Sequence, residues 1–271
     1  MRLQRASSFP ESKEEKTTTT TLDVGAQELA EILTYPRYSE QEHLSRVEEL
    51  RSLGVSQIIL GGRTLVSGLR IAGKGQVGLV VKAVMAGKGR ETCALKIRRM
   101  DANRPDMQAE ARLHRIANGA GVGPALYDYS SNFMLMEFAE GEGIVDWAAA
   151  GDGLSAGREQ AQSVAASVLE QCYLLDRAGI DHGELSRVDR HVIVCGKKAT
   201  IIDFESASTE RKKMCNVSAA GQSLFVSGPV AGSLAKVMPH VDRQAAISAL
   251  KKYKWDQSRA NFESLLALVG A

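Results

Sequence analysis

The chain has 271 residues, with 34 basic against 32 acidic for a formal charge of +2, and 44% of it is apolar. That length and apolar share allow one large domain or two lobes with a sizeable core, and the near balance of charge excludes a bulk polycation, so any basic partner surface must be local. No apolar run approaches the roughly 18 residues of a membrane span, and a soluble, cytoplasmic chain with no membrane partner is expected. Cys93, Cys172, Cys195 and Cys215 are widely spaced without a C-x-x-C pair. This argues against a zinc knuckle or redox dithiol and for buried, reduced thiols.

The first segment, with Arg2, Arg5 and a threonine run, faintly matches a transit peptide, but Glu11, Glu14 and Glu15 break the acid-poor pattern. A disordered tail over 1–22 is the expectation, with Arg5-Ala6-Ser7-Ser8 as a short site for a basic-directed kinase. Apolar residues recur at helical spacing from Ala26 to Leu33 and from Glu40 to Leu53, where Ser39 is a plausible N-cap with Glu42 three residues on. These two helices make a helical N-terminal extension over 23–66 that packs on the main domain. A winged-helix DNA reader is the alternative, but no basic recognition helix supports it. Ser56 to Leu60, backed by Gly61-Gly62, reads as a short strand and turn.

Gly73-Lys74-Gly75-Gln76-Val77-Gly78-Leu79-Val80 fits G-x-G-x-x-G-x-V between strand-like stretches, Leu69 to Ile71 and Leu79 to Val81. A dinucleotide fold wants a helix directly after the third glycine, whereas Val80-Val81 and a second turn at Gly87-Lys88-Gly89 indicate a hairpin. The glycines then form a flap whose backbone N–H groups can approach phosphates. Thr92 to Ile97 is an apolar strand interrupted by Lys96. An ammonium there needs an anionic partner, or must snorkel from a sheet edge.

Here the sequence resembles the protein-kinase superfamily, whose V-A-I-K strand matches Cys93-Ala94-Leu95-Lys96 and whose flap matches Gly73 to Val80. The resemblance implies an α+β, bilobal protein-kinase-like fold. Its N-lobe, over 67–138, is a small antiparallel β-sheet with one main helix, and its C-lobe, over 139–271, is mostly helical and shortened. By the same resemblance Gly73, Gly75, Gly78, Val80, Ala94, Lys96, Glu137 and Phe138 bind ATP. Lys96 faces the phosphates, Met136 lies behind the adenine, and the backbone of Glu137 and Phe138, after the strand from Asn132, is the hinge. The family also requires a glutamate that holds the lysine, and Glu110 lies in the helix-like stretch from Asp106 to Ala117.

Gly151-Asp152-Gly153 marks a break, and Arg158 to Ala178 is a long helix with Val164, Val168, Leu169, Cys172 and Leu175 on one stripe. From His182 to Glu205, two apolar strands joined by a turn carry acidic groups at both ends, the rigid arrangement of carboxylates that phosphoryl transfer needs. In the resemblance, His182-Gly183-Glu184 stands for the catalytic-loop H-x-D, and Asp203-Phe204-Glu205 for D-F-G. Glu184 is then the catalytic carboxylate, displaced by its extra methylene about an ångström, and Asp203 holds Mg2+. The second metal ligand falls on Asp189 counting from Glu184 and on His191 counting back from the strand Val192 to Val194. Asp189 is favoured as a hard oxygen donor, with His191 kept open as a ligand surrogate or phosphate contact. Helices follow near Ser218 to Phe225, Arg243 to Tyr253 and Ser258 to Val269, and Asn216-Val217-Ser218, a glycosylation sequon, is read as a helix start.

Leu185-Ser186 after the carboxylate, and no Ala-Pro-Glu after Asp203, resemble the compact RIO-like and KEOPS-kinase-like group, including predicted archaeal-type serine/threonine kinases with Ile-Ile-Asp-Phe-Glu. The likeness runs over about residues 66 to 230. It implies an ATP- and Mg2+-dependent serine/threonine protein kinase or ATPase acting on an unidentified protein or on itself. Asp-Phe-Glu also fits choline-kinase-like and aminoglycoside-kinase-like small-molecule kinases, although the chain has little room for their C-lobe insert. Glu184 and the missing asparagine fit a nucleotide-binding pseudokinase scaffold. Arg211-Lys212-Lys213 is either a solvated loop or a site for an acidic or RNA-containing partner.

Overall fold

The threonine run that closes the first segment enters a strand, β1 (Thr20–Asp23), as β-branched residues favour. The computed structural model describes residues 19–87, 91–150 and 155–270. After β1 come α1 (Ala30–Leu33), α2 (Glu40–Ser52), β2 (Val55–Leu60), β3 (Thr64–Val66), β4 (Leu69–Ile71), β5 (Gly73–Lys74), β6 (Gly78–Met85) and β7 (Thr92–Arg98). Next are α3 (Gln108–Gly119), β8 (Leu126–Tyr129), β9 (Phe133–Met136), β10 (Glu142–Gly143), α4 (Ile144–Ala150), α5 (Ser155–Ala178), α6 (Val188–His191), β11 (Val192–Cys195) and β12 (Lys198–Ile201). Four helices close the chain: α7 (Asn216–Phe225), α8 (Pro229–Val237), α9 (Arg243–Trp255) and α10 (Arg259–Val269).

The fold is α+β. One antiparallel sheet runs β1-β2-β6-β7-β9-β8 with β5 on β6, and β10-β11-β12 form a smaller antiparallel sheet within the helical region. Two cores result. Leu29, Ile32, Leu50, Ile58, Leu79, Val81, Leu95 and Phe133 pack under the larger sheet, while the α5 stripe packs against α7, α9 and α10 through Leu169, Leu224, Tyr253 and Phe262. Val164, Val168, Leu169, Cys172 and Leu175 are all buried, as the helical period requires.

The segment 23–66 is not a separate helical extension. β1 and β2 are integral strands of the large sheet, with Thr20 opposite Leu60 and Ile58 opposite Ala83. The expected tail boundary at 22 falls inside β1, while residues 1–18, with the transit-like features and the Arg5-Ala6-Ser7-Ser8 site, lie outside the described residues. So do Lys88 and Gly89 of the second turn and the Gly151–Gly153 break. Ser39 does cap α2, its hydroxyl accepting from Glu42 N at 3.4 Å. Asn216 begins α7 with its side chain buried in hydrogen bonds to Asp176 and Ile180, which leaves no room for a glycan. Only Cys93 and Cys172 are buried; Cys195 is exposed and Cys215 half-buried. Among the described residues, no helix is long and apolar enough to cross a membrane.

A buried guanidinium ties α2 to the sheet. Arg46 is fully buried, and its Nη1 donates to Leu33 O and Arg98 O, both at 2.6 Å, while Nη2 donates to Asn132 Oδ1 at 3.0 Å. Glu49 accepts from the Asn132 amide groups at 2.8 and 2.7 Å, completing the network. Removing Arg46 takes a donor from the carbonyls of Leu33 and Arg98, each worth about 1–3 kcal/mol, while Asn132 Oδ1 keeps its bonds from Arg98. Arg46→Met is expected to lower unfolding free energy by about 2–4 kcal/mol in urea titration, whereas Glu42→Ala, at a half-exposed carboxylate 3.7 Å from Arg46, costs less than about 1 kcal/mol.

Candidate functional site

Side chains alternate along β7, so Cys93, Leu95 and Ile97 enter the sheet core while Ala94 and Lys96 face the other way. The Lys96 side chain is buried, and its ammonium meets three carboxylates: Glu110 Oε1 at 2.6 Å, Asp203 Oδ1 at 2.9 Å and Glu205 Oε2 at 3.4 Å. These come from α3 and from the segment leaving β12. Burial alone works against the ammonium, but Glu110, then Asp203 and Glu205, hold its pKa above the ordinary lysine value. Burial raises the Glu110 pKa, and Lys96 offsets part of that effect. For Asp203 burial works against the carboxylate, but the attraction and hydrogen bond of Lys96, with smaller help from the neighbouring imidazoles, together lower the pKa.

Asp203 sits at φ +69, a left-handed backbone that Asp tolerates at a cost. Phe204 is wedged between His114 of α3 and His182, with ring centroids 5.0 and 5.2 Å away. Arg104 Nη2 donates to Glu205 O at 2.5 Å, pinning the segment from the sheet side. On the other side His182 Nε2 lies 3.0 Å from Ile202 O. Asp181 binds Gly183 N at 2.8 Å, Cys215 N at 3.0 Å and Arg211 at 3.2 Å. Gly183, at φ +90, has no room for a side chain, since a Cβ there would stand 2.4 Å from Ser206 O.

Glu184 is half-exposed, and its Oε2 is 3.5 Å from His191 Nε2. His191 is buried edge-on to His182, centroids 5.2 Å apart. The favoured second ligand, Asp189, is not gathered with them. Arg187 engages it at 3.3 and 3.4 Å, because an exposed guanidinium two residues away is the nearer partner on this short helical turn. Of Asp189 and His191, the structure brings His191 to the cluster. Among the described residues, no three or more His, Cys, Asp and Glu side chains form a ready metal cage.

The residues present nonetheless suit Mg2+. Three carboxylates against one ammonium leave excess negative charge in a desolvated site, and Glu110 Oε2 has no hydrogen-bond partner. Mg2+ is commonly held by one or two carboxylates with the remaining positions left to phosphates and water, which Asp203 and Glu205 could supply.

The flap is a hairpin, as expected from Val80-Val81, with Gly73 opposite Val80. Its amides are not all open, however: Gly75 N donates to Gly78 O at 2.7 Å, and Arg99 Nη1 donates to Gly75 O. Val77 folds inward against Met107, Ala111 and Met134. Gly78 is small for the sake of the lysine, since a Cβ there would come within 3.0 Å of Lys96 Cγ and 3.1 Å of Ile97 O. At the far end, Ala94 pairs with Met136, Glu137 N donates to Ala125 O at 2.8 Å, and Lys82 Nζ sits 3.8 Å above the Phe138 ring.

Glu205, Arg104, Asp181 and His114 were not among the site residues expected from the sequence. Glu205 had a signal, an acid two residues after Asp203; Arg104 had none, because its contact spans 101 positions. A cavity of about 860 Å³ lies elsewhere, lined by Glu49, Arg115, Tyr129 and Asn132 among others. The buried charge cluster is the better candidate, since perturbed titratable groups converge there. No protein-family model matches the chain, and no curated protein matches it.

Two outcomes follow from this geometry. Lys96→Met is expected to cost about 3–5 kcal/mol by leaving Glu110 buried and unpaired, while Lys96→Met with Glu110→Gln costs clearly less than the sum of the single changes in a urea-unfolding cycle. Burial lowers the His182 pKa below 6.5, so below that pH the unfolded chain takes up a proton that the folded chain refuses, and this contribution to stability is lost on acidification. The stability advantage of wild type over His182→Gln is therefore expected to shrink from about pH 7.5 to about pH 5, measured by denaturant midpoints.

Proposed function

We propose that the chain is an ATP- and Mg2+-dependent phosphotransferase of the RIO-like serine/threonine-kinase type, with its sheet region and helical region acting as the two lobes of a kinase-like fold. One observation carries this reading: the buried Lys96 ammonium held by Glu110 of the next helix and by Asp203, 107 positions away. A purely structural lysine needs one counter-charge, and a cluster with three carboxylates is poised for a further cation and an anionic ligand. In this reading Lys96 holds phosphate oxygens, Glu110 fixes Lys96, and Asp203 with Glu205 holds the metal. Glu184, braced by His191, accepts the proton of the attacking hydroxyl. Mg2+, when bound, supplies neutralisation of phosphate charge.

The commitment of Asp189 to Arg187 favours a second reading, a nucleotide-binding pseudokinase scaffold. Transfer of labelled phosphate from ATP separates the two. For an enzyme, Asp203→Asn abolishes Mg2+-dependent ATP turnover, and Glu184→Gln lowers turnover about 10²- to 10⁴-fold while leaving ATP affinity nearly unchanged. ATP binding without turnover, unaffected by Glu184→Gln, selects the scaffold. Failure to bind ATP at all removes both.

A further inference from the structure

Six exposed cations lie on two adjoining stretches of the helical region. Arg211, Lys212 and Lys213 lie on the segment between Asp203 and α7, and Lys251, Lys252 and Lys254 lie in the last turns of α9; all six are exposed. Two contacts hold these stretches side by side: Lys213 Nζ donates to Trp255 O at 2.9 Å, and Gln257 Nε2 donates to Met214 O at 2.7 Å. Among the described residues, only Arg211 of the six has a carboxylate partner, Asp181. Asp256, the next acid along the chain from the lysines of α9, accepts from Ser258 and Asn261 on Oδ2.

Beside these charges the Trp255 side chain is 88% exposed, the largest exposure among the big apolar residues described. Lys251 and Trp255 are four apart on α9, with Lys254 between them in the same turn, so ammonium groups and indole share one flank of the helix. Helix-dipole stabilisation explains a lysine or two at a helix C-terminus. It does not explain an indole left in water, and with a formal charge of only +2 over the chain, bulk composition does not explain the cation cluster.

We propose that this face binds single-stranded nucleic acid. The cations would track the phosphates, and Trp255 would offer a flat apolar surface for one unstacked base. An acidic peptide would satisfy the charges but leave the indole unused, and a duplex keeps its bases stacked away from it. The proposal is independent of phosphotransfer, since it uses none of Lys96, Glu110, Glu184 or Asp203.

The test is fluorescence anisotropy of a labelled oligouridine of about 12 nucleotides with the full chain. Wild type is expected to bind at about 50 mM salt and markedly more weakly at about 200 mM. Trp255→Ala weakens binding about fivefold or more, and Trp255→Phe largely restores it, because stacking needs an aromatic face. Lys251→Ala with Lys254→Ala lowers the slope of log affinity against log salt by about 1.4. Absence of binding at low salt, unchanged affinity in Trp255→Ala, or equal binding of a duplex of the same length each overturns the proposal. Displacement of the oligouridine by polyglutamate as effectively as by unlabelled oligouridine does so as well, and assigns the face to acidic polypeptides. Trp255 contributes little buried surface, so its variants are expected to keep the wild-type denaturant midpoint, and that measurement separates lost contact from lost folding.

Discussion

The constraint on which the structure turns is the desolvated ammonium of Lys96. An unpaired charge in an apolar strand costs a large share of the roughly 5–15 kcal/mol by which domains are stable, so carboxylates must reach it. Glu110 does so from α3, which fixes the height and rotation of that helix over the sheet. Asp203 and Glu205 do so from the exit of β12, which fixes how the helical region meets the sheet. Even the absence of a side chain at Gly78 follows, since the lysine stem occupies the space a Cβ would take.

Charge alone would leave the segment after β12 loosely held, and packing supplies the rest. Phe204 is buried between His114 and His182, so α3 and the loop after α5 share one aromatic contact. Asp181 then ties that loop to Cys215 and Arg211, and Asp176 accepts from Asn216 and Val217 at the start of α7 and from the Tyr253 hydroxyl of α9. The backbone strain at Asp203 persists because both sides over-determine it. The same framework aligns the segment of Arg211 to Lys213 with the end of α9, so the basic segment, the exposed indole and the charge cluster are held by one set of contacts.

Much of this was legible in residue order. The lysine in an apolar strand, the glutamate in the next helix and the carboxylate directly after two isoleucines each announced a local need for an opposite charge, and the structure joins them. The hairpin flap was readable from Val80-Val81, and the α5 stripe from its period. What was misjudged lay where alternatives were local and nearly equal. Two helices disguised the fact that β1 and β2 belong to the main sheet, because strand pairing is a contact between segments more than thirty residues apart. Asp189 and His191 were both plausible by counting, and only the turn of α6 separates them, giving Asp189 to Arg187 and His191 to the neighbourhood of Glu184.

By itself, then, the sequence determined the longer periodic elements and the chemical types that required partners, but not β1 or α8, because helical and strand periods and the cost of burying charge act over a few residues. Tertiary structure alone decided which partners answered: that Glu205 is the third carboxylate on Lys96, that Arg104 reaches across 101 positions to hold it in place, and that Lys213 lies beside an exposed Trp255. Those are contacts between distant segments, set by packing of the two cores, and no local pattern records them.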